Sequence, residues 1–432
     1  MKKFLFSNNK EFISNFENFL EARSTIDFNI KNLVDEVIQT VKKNGDRALI
    51  EYTKKYDQVD LDKVGFLINK TQVQNSLKKC DQNDRKAIKV AIERIIDFHK
   101  KQMPKDTFWT DAVGVELGWM WKPLERVGVY VPGGKASYPS TAIMNIVPAR
   151  VAGVQEIALS SPTPKGLFNP LMIFAAYSLN VHEIIRLGGA QAIAALALGS
   201  ETIKKVNKIT GPGNKYVTEA KRQLFGRVGI DSVAGPSEVL IICDKSMPAK
   251  LAAIDLLSQA EHDENAQSIL ITNDEKHALE VEKEVDFYLK KLKRCDIAQS
   301  SWNRFGAIVI VPSFEKAIEI SNIVAPEHLQ LCFNGAEKYL SKIKNAGSVF
   351  VGNWSPEAMG DYITGSNHVL PTNGTSKFSS SLSVFDFMKR VSITKVDKSG
   401  FQKLAPHVIR LADSEGLEAH SLSVSERLKE FE

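Results

Sequence analysis

Arg126-Val127-Gly128-Val129-Tyr130-Val131, closed by Pro132-Gly133-Gly134, is a short β-branched run that stops at turn residues and passes into a helical stretch. Three more runs of this kind follow: Glu156 to Ser160, Glu183 to Leu187 and Lys205 to Thr210. A second series comprises Glu238 to Cys243, Ser268 to Thr272, Ala307 to Val311, His328 to Phe333 and Ser348 to Val351. Short apolar runs alternating with helical stretches imply βαβ units and mostly parallel sheets, hence an α/β fold. The two series predict two related domains of similar size, residues 111–237 and 238–383. No residue-level repeat links them.

The flanks read differently. From Asp81 to Lys101, Ile88, Ala91, Ile92, Ile95 and Ile96 recur at helical spacing, and a similar pattern from Asn29 to Lys43 stops at Asn44-Gly45. Residues 1–110 are therefore expected to form a helical N-terminal lobe, part of a dimer scaffold, with no chemistry of its own. Residues 384–432 return to helix, broken near Ser414-Glu415-Gly416, as a tail that either caps its own subunit or reaches another. Between them, Asn353 to Ser383 is a long polar stretch, and loops of that length are often functional.

Composition narrows the class. The 432 residues are 43% hydrophobic and 25% charged, enough apolar material for two or three domains. Fifty-six Lys+Arg against 51 Asp+Glu leave +5, too thin a charge for a general nucleic-acid binder. Cys80, Cys243, Cys295 and Cys332 are scattered, which argues against a Cys-rich zinc module and for a reducing compartment. The apolar start Met1-Lys2-Lys3-Phe4-Leu5-Phe6 turns polar at Ser7-Asn8-Asn9-Lys10, too soon for a signal peptide. No run approaches the ~18 apolar residues of a membrane span. A cytoplasmic protein without nucleic-acid or membrane partners is expected.

Eight histidines are present. His99, His182, His277 and His407 lack catalytic neighbours and read as solvated or incidental. Four others sit among polar residues. Gln259 and His262, three apart at a helix end, share a face with Cβ atoms roughly 5–6 Å apart. They either meet one ion or merely complement the helix dipole. Glu327-His328 follows Ala325-Pro326 and suits acid/base work near neutral pH, or a buried ion pair holding the turn. Strand starts are not where open α/β sheets usually bind ligands. Asp361 and His368 lie in the polar stretch, and Glu415 and His420 in the tail. A His/Asp set without Cys suits Zn²⁺ or another first-row divalent ion, but spacing alone does not assemble it.

Three glycine turns follow strands: Pro132-Gly133-Gly134, Gly188-Gly189-Ala190-Gln191 and Gly211-Pro212-Gly213-Asn214. Each brings backbone N–H groups toward a ligand at a helix start. None extends to Gly-x-Gly-x-x-Gly, so the usual dinucleotide fingerprint is absent.

Taken together, these motifs resemble the histidinol dehydrogenase family. The likeness is carried by Arg126 to Gly134, Gly188 to Ala194, Gly211 to Asn214, Ile230-Asp231 and Ala234 to Val239. It continues through Gln259 to His262, Pro326 to His328, Gly360 to Tyr362, Asn367 to Thr372 and Ala419-His420, in order from about residue 30 to 425. The resemblance implies a zinc-dependent homodimer that oxidises L-histidinol through L-histidinal to L-histidine with two NAD, the last step of histidine biosynthesis. By the same likeness Gln259, His262, Asp361 and His420 are the expected metal ligands, His420 being given by the partner subunit. Glu327 and His328 are the expected catalytic pair, and Ser237, Glu415, His328 and the metal ligands the expected substrate contacts. Tyr130, Gln191 and Asn214 are expected at NAD, in an incomplete Rossmann-like domain.

That chemistry can be set against the residues. His328 is the natural base for an alcohol proton, and Glu327 beside it would activate water for the aldehyde step. Zinc would position the substrate. The rival nucleophiles read as structural: Cys243 lies in an apolar strand, and Cys332, four residues past His328, has no evident cation to activate it. A zinc hydrolase would leave the glycine turns unexplained, and a non-catalytic binding protein would not need Glu327-His328. Asn373 and Ser381 stand where family members commonly carry glycine, a departure that concerns only loop geometry.

Overall fold

A computed structural model describes residues 4–7, 11–23, 28–133, 138–233 and 235–430. Met1 to Lys3, Asn8 to Lys10, Gly134 and Ala234 of the stretches quoted above lie outside them. Two compact units are present: residues 1–102 with 125–387, and residues 103–124 with 388–432.

The strands, in chain order, are β1 (Phe4–Phe6), β2 (Thr107–Thr110), β3 (Glu116–Pro123), β4 (Arg126–Tyr130), β5 (Glu156–Ser160), β6 (Glu183–Ile185) and β7 (Lys208–Thr210). They continue as β8 (Gly229–Ile230), β9 (Glu238–Cys243), β10 (Gln267–Thr272), β11 (Gly306–Ile310), β12 (His328–Cys332), β13 (Ser348–Val351) and β14 (Met388–Lys395). The first parallel sheet has the order β6-β5-β4-β7-β8 and the second β1-β11-β10-β9-β12-β13. Leaving β1 aside, each runs third-second-first-fourth-fifth in its own chain order. The duplication expected from layout is thus a repeat of topology. Each sheet reverses direction of growth once, between β4 and β7 and between β9 and β12.

Burial explains the runs. Every residue of β4, β9 and β12 is buried, as parallel strands covered by helices on both faces require. On one face of the second sheet Leu240, Ile242, Leu329 and Leu331 pack with Phe12, Phe16 and Phe19 of the helix Phe12–Glu21. On the other face Val239, Ile241, Cys243 and Cys332 pack with Leu256 and Leu257 of the helix Ala249–Ala260. The N-terminal helical run Phe28–Asp57 breaks at Gly45, where φ is +50°, matching the stop at Asn44-Gly45.

Two expectations are corrected. The segment 1–110 is not wholly helical: β1 adds a parallel edge to the second sheet, and β2 lies in the smaller unit. The tail opens with a strand, since Met388–Lys395 pairs antiparallel with β3 over eight residues, before the helices Lys398–Ser414 and Glu418–Glu430. β2 and β14 are largely exposed and carry no continuous apolar run, so hydrophobic patterning could not reveal them. No helix among the described residues is long and apolar enough to cross a membrane.

Candidate active site

His328 opens β12, and the turn that delivers it is set by Ala325. Ala325 takes a left-handed conformation (φ +52°), uncommon for a residue with a Cβ, and ends the helix Phe314–Val324. Pro326 and Glu327 follow, and both Glu327 and His328 are buried. The helix Ala249–Ala260 runs back from β9, so its last turn brings buried Gln259 toward the amino ends of the strands. The His262 N–H bonds to the Gln259 carbonyl at 3.1 Å and continues that turn. The cluster therefore forms at the amino ends, opposite to the usual ligand edge of such sheets.

Hydrogen bonds define the imidazole. His328 Nδ1–H donates to the Glu238 carbonyl at 2.9 Å, which leaves Nε2 as the free nitrogen of the neutral ring. Nε2 lies 3.4 Å from Asp361 Oδ1 and has no well-formed hydrogen bond. Glu327 Oε2 sits 3.7 Å from Nδ1 and accepts the Glu238 N–H at 2.8 Å. Asp361 lies on the short helix Glu357–Tyr362, inside the polar stretch, and His368 Nδ1–H donates to its carbonyl at 2.9 Å.

The Gln259 amide, oriented by its hydrogen-bonding neighbours, turns its nitrogen to the Glu357 carboxylate and its oxygen to the Glu238 N–H, which it shares with Glu327. Glu357 is fixed in turn by Gln330, which accepts its N–H at 2.8 Å and donates to Asp255 at 2.9 Å.

The electrostatics follow from burying Glu238, Glu327, Glu357 and Asp361 around one imidazole. Burial pushes Glu327 up to about 7 and Glu357 up to about 8. Burial by itself would lower His328, but Glu357, Glu327 and Asp361 outweigh it and raise the imidazole well above its ordinary value. Asp361 is held low: burial opposes its charge, and the nearby His328 imidazole overcomes that. His262 opens to solvent yet is crowded by protein atoms, and this desolvation lowers it against the pull of Asp361.

One atom each from His328, Glu357 and Asp361 lies within 4.8 Å of the others. Negative charge in excess of cations, an orphaned imidazole nitrogen and oxygen-rich donors fit a divalent cation. Of the residues expected to bind metal, Gln259 and Asp361 border this cluster, and His262 senses Asp361 electrostatically. Ser237, half-buried, immediately precedes Glu238. Glu415 ends the helix Lys398–Ser414 and His420 lies exposed on Glu418–Glu430, both in the smaller unit.

The residues expected at NAD gather at the carboxyl ends of β4, β6 and β7, where the first sheet reverses. Buried Tyr130 accepts the Gly189 N–H on its hydroxyl at 3.1 Å, and burial pushes that hydroxyl up to about 12. Gly211 (φ +114°) has no room for a Cβ, which would fall on the Tyr130 carbonyl oxygen. Its N–H bonds to Asp231, and buried Lys221 pairs with Asp231 and donates to the Gly211 carbonyl. Gln191 is buried on the helix Gly189–Leu198, and Asn214 caps Lys215–Leu224 through its side-chain oxygen.

The histidinol dehydrogenase family model matches residues 21–428. The chain belongs to the histidinol dehydrogenase family. It is 48% identical to the histidinol dehydrogenase of Brucella suis over 418 residues, 97% of each chain, and 49% identical to that of Mesorhizobium japonicum over the same coverage. A crystal structure of histidinol dehydrogenase from Elizabethkingia anophelis superposes with a TM-score of 0.93 at 37% identity, covering 99% of this chain and 98% of that one. Membership of the histidinol dehydrogenase family makes the protein an oxidoreductase and confirms the α/β class read from the strand pattern.

Some residues escaped the sequence. Glu357 is a lone carboxylate in a polar stretch, without a local signal. Glu238 has one local signal, a charged residue heading the apolar run Val239 to Cys243, because a buried carboxylate needs partners. His99 and His277, read as solvated or incidental, are buried: His99 bonds Gln102 at 2.7 Å, and His277 lies 3.7 Å from the Cys243 sulfur.

Proposed function

We propose that this protein oxidises L-histidinol to L-histidine through L-histidinal, consuming two NAD, as the last step of histidine biosynthesis. The observation that carries the reading is the buried Glu327-His328 pair, with His328 Nε2 turned toward Asp361 inside a cluster suited to a divalent cation. Gln259, His262, Asp361 and His420 would hold Zn²⁺, His420 coming from the partner subunit of a homodimer, and Tyr130, Gln191 and Asn214 would contact NAD. When bound, the cation would anchor the substrate's imidazole and amine and offset the carboxylates that raise His328.

The chain's own groups do the rest. His328 accepts the alcohol proton at Nε2 as the carbinol carbon is oxidised to the aldehyde, for which NAD would be the hydride acceptor. Glu327 takes a proton from water as its oxygen adds to that aldehyde, while His328 returns its proton to the aldehyde oxygen; as the hydrate is oxidised to the acid, His328 takes the second proton and a second NAD would be the hydride acceptor. A carboxyl near 7 is well matched to that exchange at neutral pH. Ser237 and Glu415 complete the substrate contacts.

Steady-state NADH formation with L-histidinol tests this. A yield of about two NADH per substrate is expected; none, or one with histidinal accumulating, would overturn the reading. Mixing His420→Asn with His328→Asn subunits should restore activity through heterodimers containing one intact site. Exchange of subunits without recovery would place both residues in the same protomer's site.

A further inference from the structure

Arg23 stands just beyond the helix Phe12–Glu21, in the segment where sequence suggested no chemistry. Its guanidinium nevertheless meets four acceptors around the start of β9. One terminal nitrogen reaches Glu238 Oε1 at 2.9 Å and Gln267 Oε1 at 3.1 Å; the other reaches the Pro236 carbonyl at 2.9 Å. Nε donates to the Asn265 carbonyl at 3.2 Å. The side chains of Arg23 and Glu238 are 3% and 4% exposed.

Glu238 passes this anchorage on. Its Oε1 also accepts the Asn373 N–H at 2.8 Å, and its Oε2 accepts the Glu327 N–H at 3.2 Å. Its own N–H donates to Glu327 Oε2, and its carbonyl accepts from His328 Nδ1. Side chain, N–H and carbonyl of one residue thus all hold Glu327-His328. Asn373 contributes its N–H from a left-handed conformation (φ +53°).

We propose that Arg23 and Glu238 are a positioning pair for the Glu327-His328 dyad: Arg23 neutralises and orients Glu238, and Glu238 fixes the carboxylate and the imidazole. This rests on the dyad performing the two-step oxidation above. The physical reason is that Glu238 lies against Glu327. Without its cation, the Glu238 carboxylate would repel the ionised form of Glu327 and lose the bond that sets its own rotamer. Neither residue reaches the reacting atoms, so their effect is on rate through geometry.

The test measures kcat and KM for L-histidinol and, separately, L-histidinal on the full chain, with zinc content and thermal midpoint recorded alongside. Arg23→Ala should lower kcat for histidinal oxidation by about 10–100-fold, with KM and zinc content held within about twofold. Added guanidinium at non-denaturing concentration should recover part of that loss. Arg23→Lys should fall between, because an ammonium cannot span the same acceptors. Glu238→Gln should lower kcat in the same sense. An Arg23→Ala kcat within about twofold of the parent overturns the proposal, as does loss of zinc and stability in step with kcat and without guanidinium rescue. If Arg23→Ala fails to fold, undiminished kcat in folded Arg23→Lys and Glu238→Gln overturns it equally. Failure of the function itself is distinct: the unsubstituted protein would then make no NADH from histidinol.

Discussion

His328 donates its Nδ1–H to the main-chain carbonyl of Glu238, 90 positions earlier in the chain, at 2.9 Å. A carbonyl can only accept, so the bond selects the tautomer and aims Nε2 at the cluster around Asp361. Asparagine keeps a donor for that carbonyl but has no second nitrogen to take a proton. His328→Asn should lower kcat by about 10²–10⁴-fold, checked by stopped-time NADH assays, with zinc content measured alongside by elemental analysis. Near-parental kcat would remove His328 from the proton path.

Metal binding should depend on pH in a stated direction. Folded-state values of about 7 for Glu327 and about 8 for Glu357 lie above the ordinary 4.5. The metal-free fold holds these protons more tightly than the unfolded chain, so this contribution is present at low pH and is lost as pH rises from about 4.5 through 7–8. A cation that displaces the protons stabilises more as pH rises. The gain in thermal midpoint on adding Zn²⁺ to chelator-treated protein should widen between pH 6 and 8. His262→Asn should abolish most of it; a gain that is flat in pH, or intact in that variant, would argue against this site.

A thiol route for the aldehyde step is disfavoured by burial. Cys332 and Cys243 are register partners on β12 and β9, and both are buried. Burial, aided by Asp255, pushes the Cys332 thiol up to about 12, and Cys243 is also well above its usual value. Cys332→Ser should therefore retain both oxidation steps within about threefold. Selective loss of histidinal oxidation would replace the hydrate route with a thioester-type one.

Asp57 ends the helical run Phe28–Asp57, where the helix dipole disfavours an anion, and its Oδ2 is buried without a hydrogen bond. Desolvation pushes it from 3.8 to about 6. A raised carboxyl contributes to stability at low pH and loses that contribution as pH rises from about 4 through 6. Asp57→Asn should raise the thermal midpoint above pH 6 and lose this advantage below about pH 4. A variant less stable at pH 7 would mean that the charged form has a partner when the protein is at work.

Legibility followed distance along the chain. Glu327-His328 is contiguous and Gln259/His262 is one helical turn, so local chemistry pointed to both pairs. Asp361 was visible as a ligand type, but its helix was not, because Glu357–Tyr362 is too short to show a period. Arg23 lies 215 positions from Glu238, and nothing near either residue announces the other. The strands of the smaller unit were missed for another reason: they bury little, and burial is what imprints a pattern on sequence.

The sequence by itself determined the two parallel-sheet layers and the glycine turns. Strands covered on both faces are mostly apolar, and close backbone approach, as at Gly211 against Tyr130, excludes a Cβ. Tertiary structure alone decided that Glu327-His328 sits at the amino ends of the strands, beside a returning helix, and which distant residues hold it. A buried carboxylate or imidazole must find its counter-charge and hydrogen bonds in space. The partners that answer Glu238 and His328 are therefore set by folding, at separations no local spacing encodes.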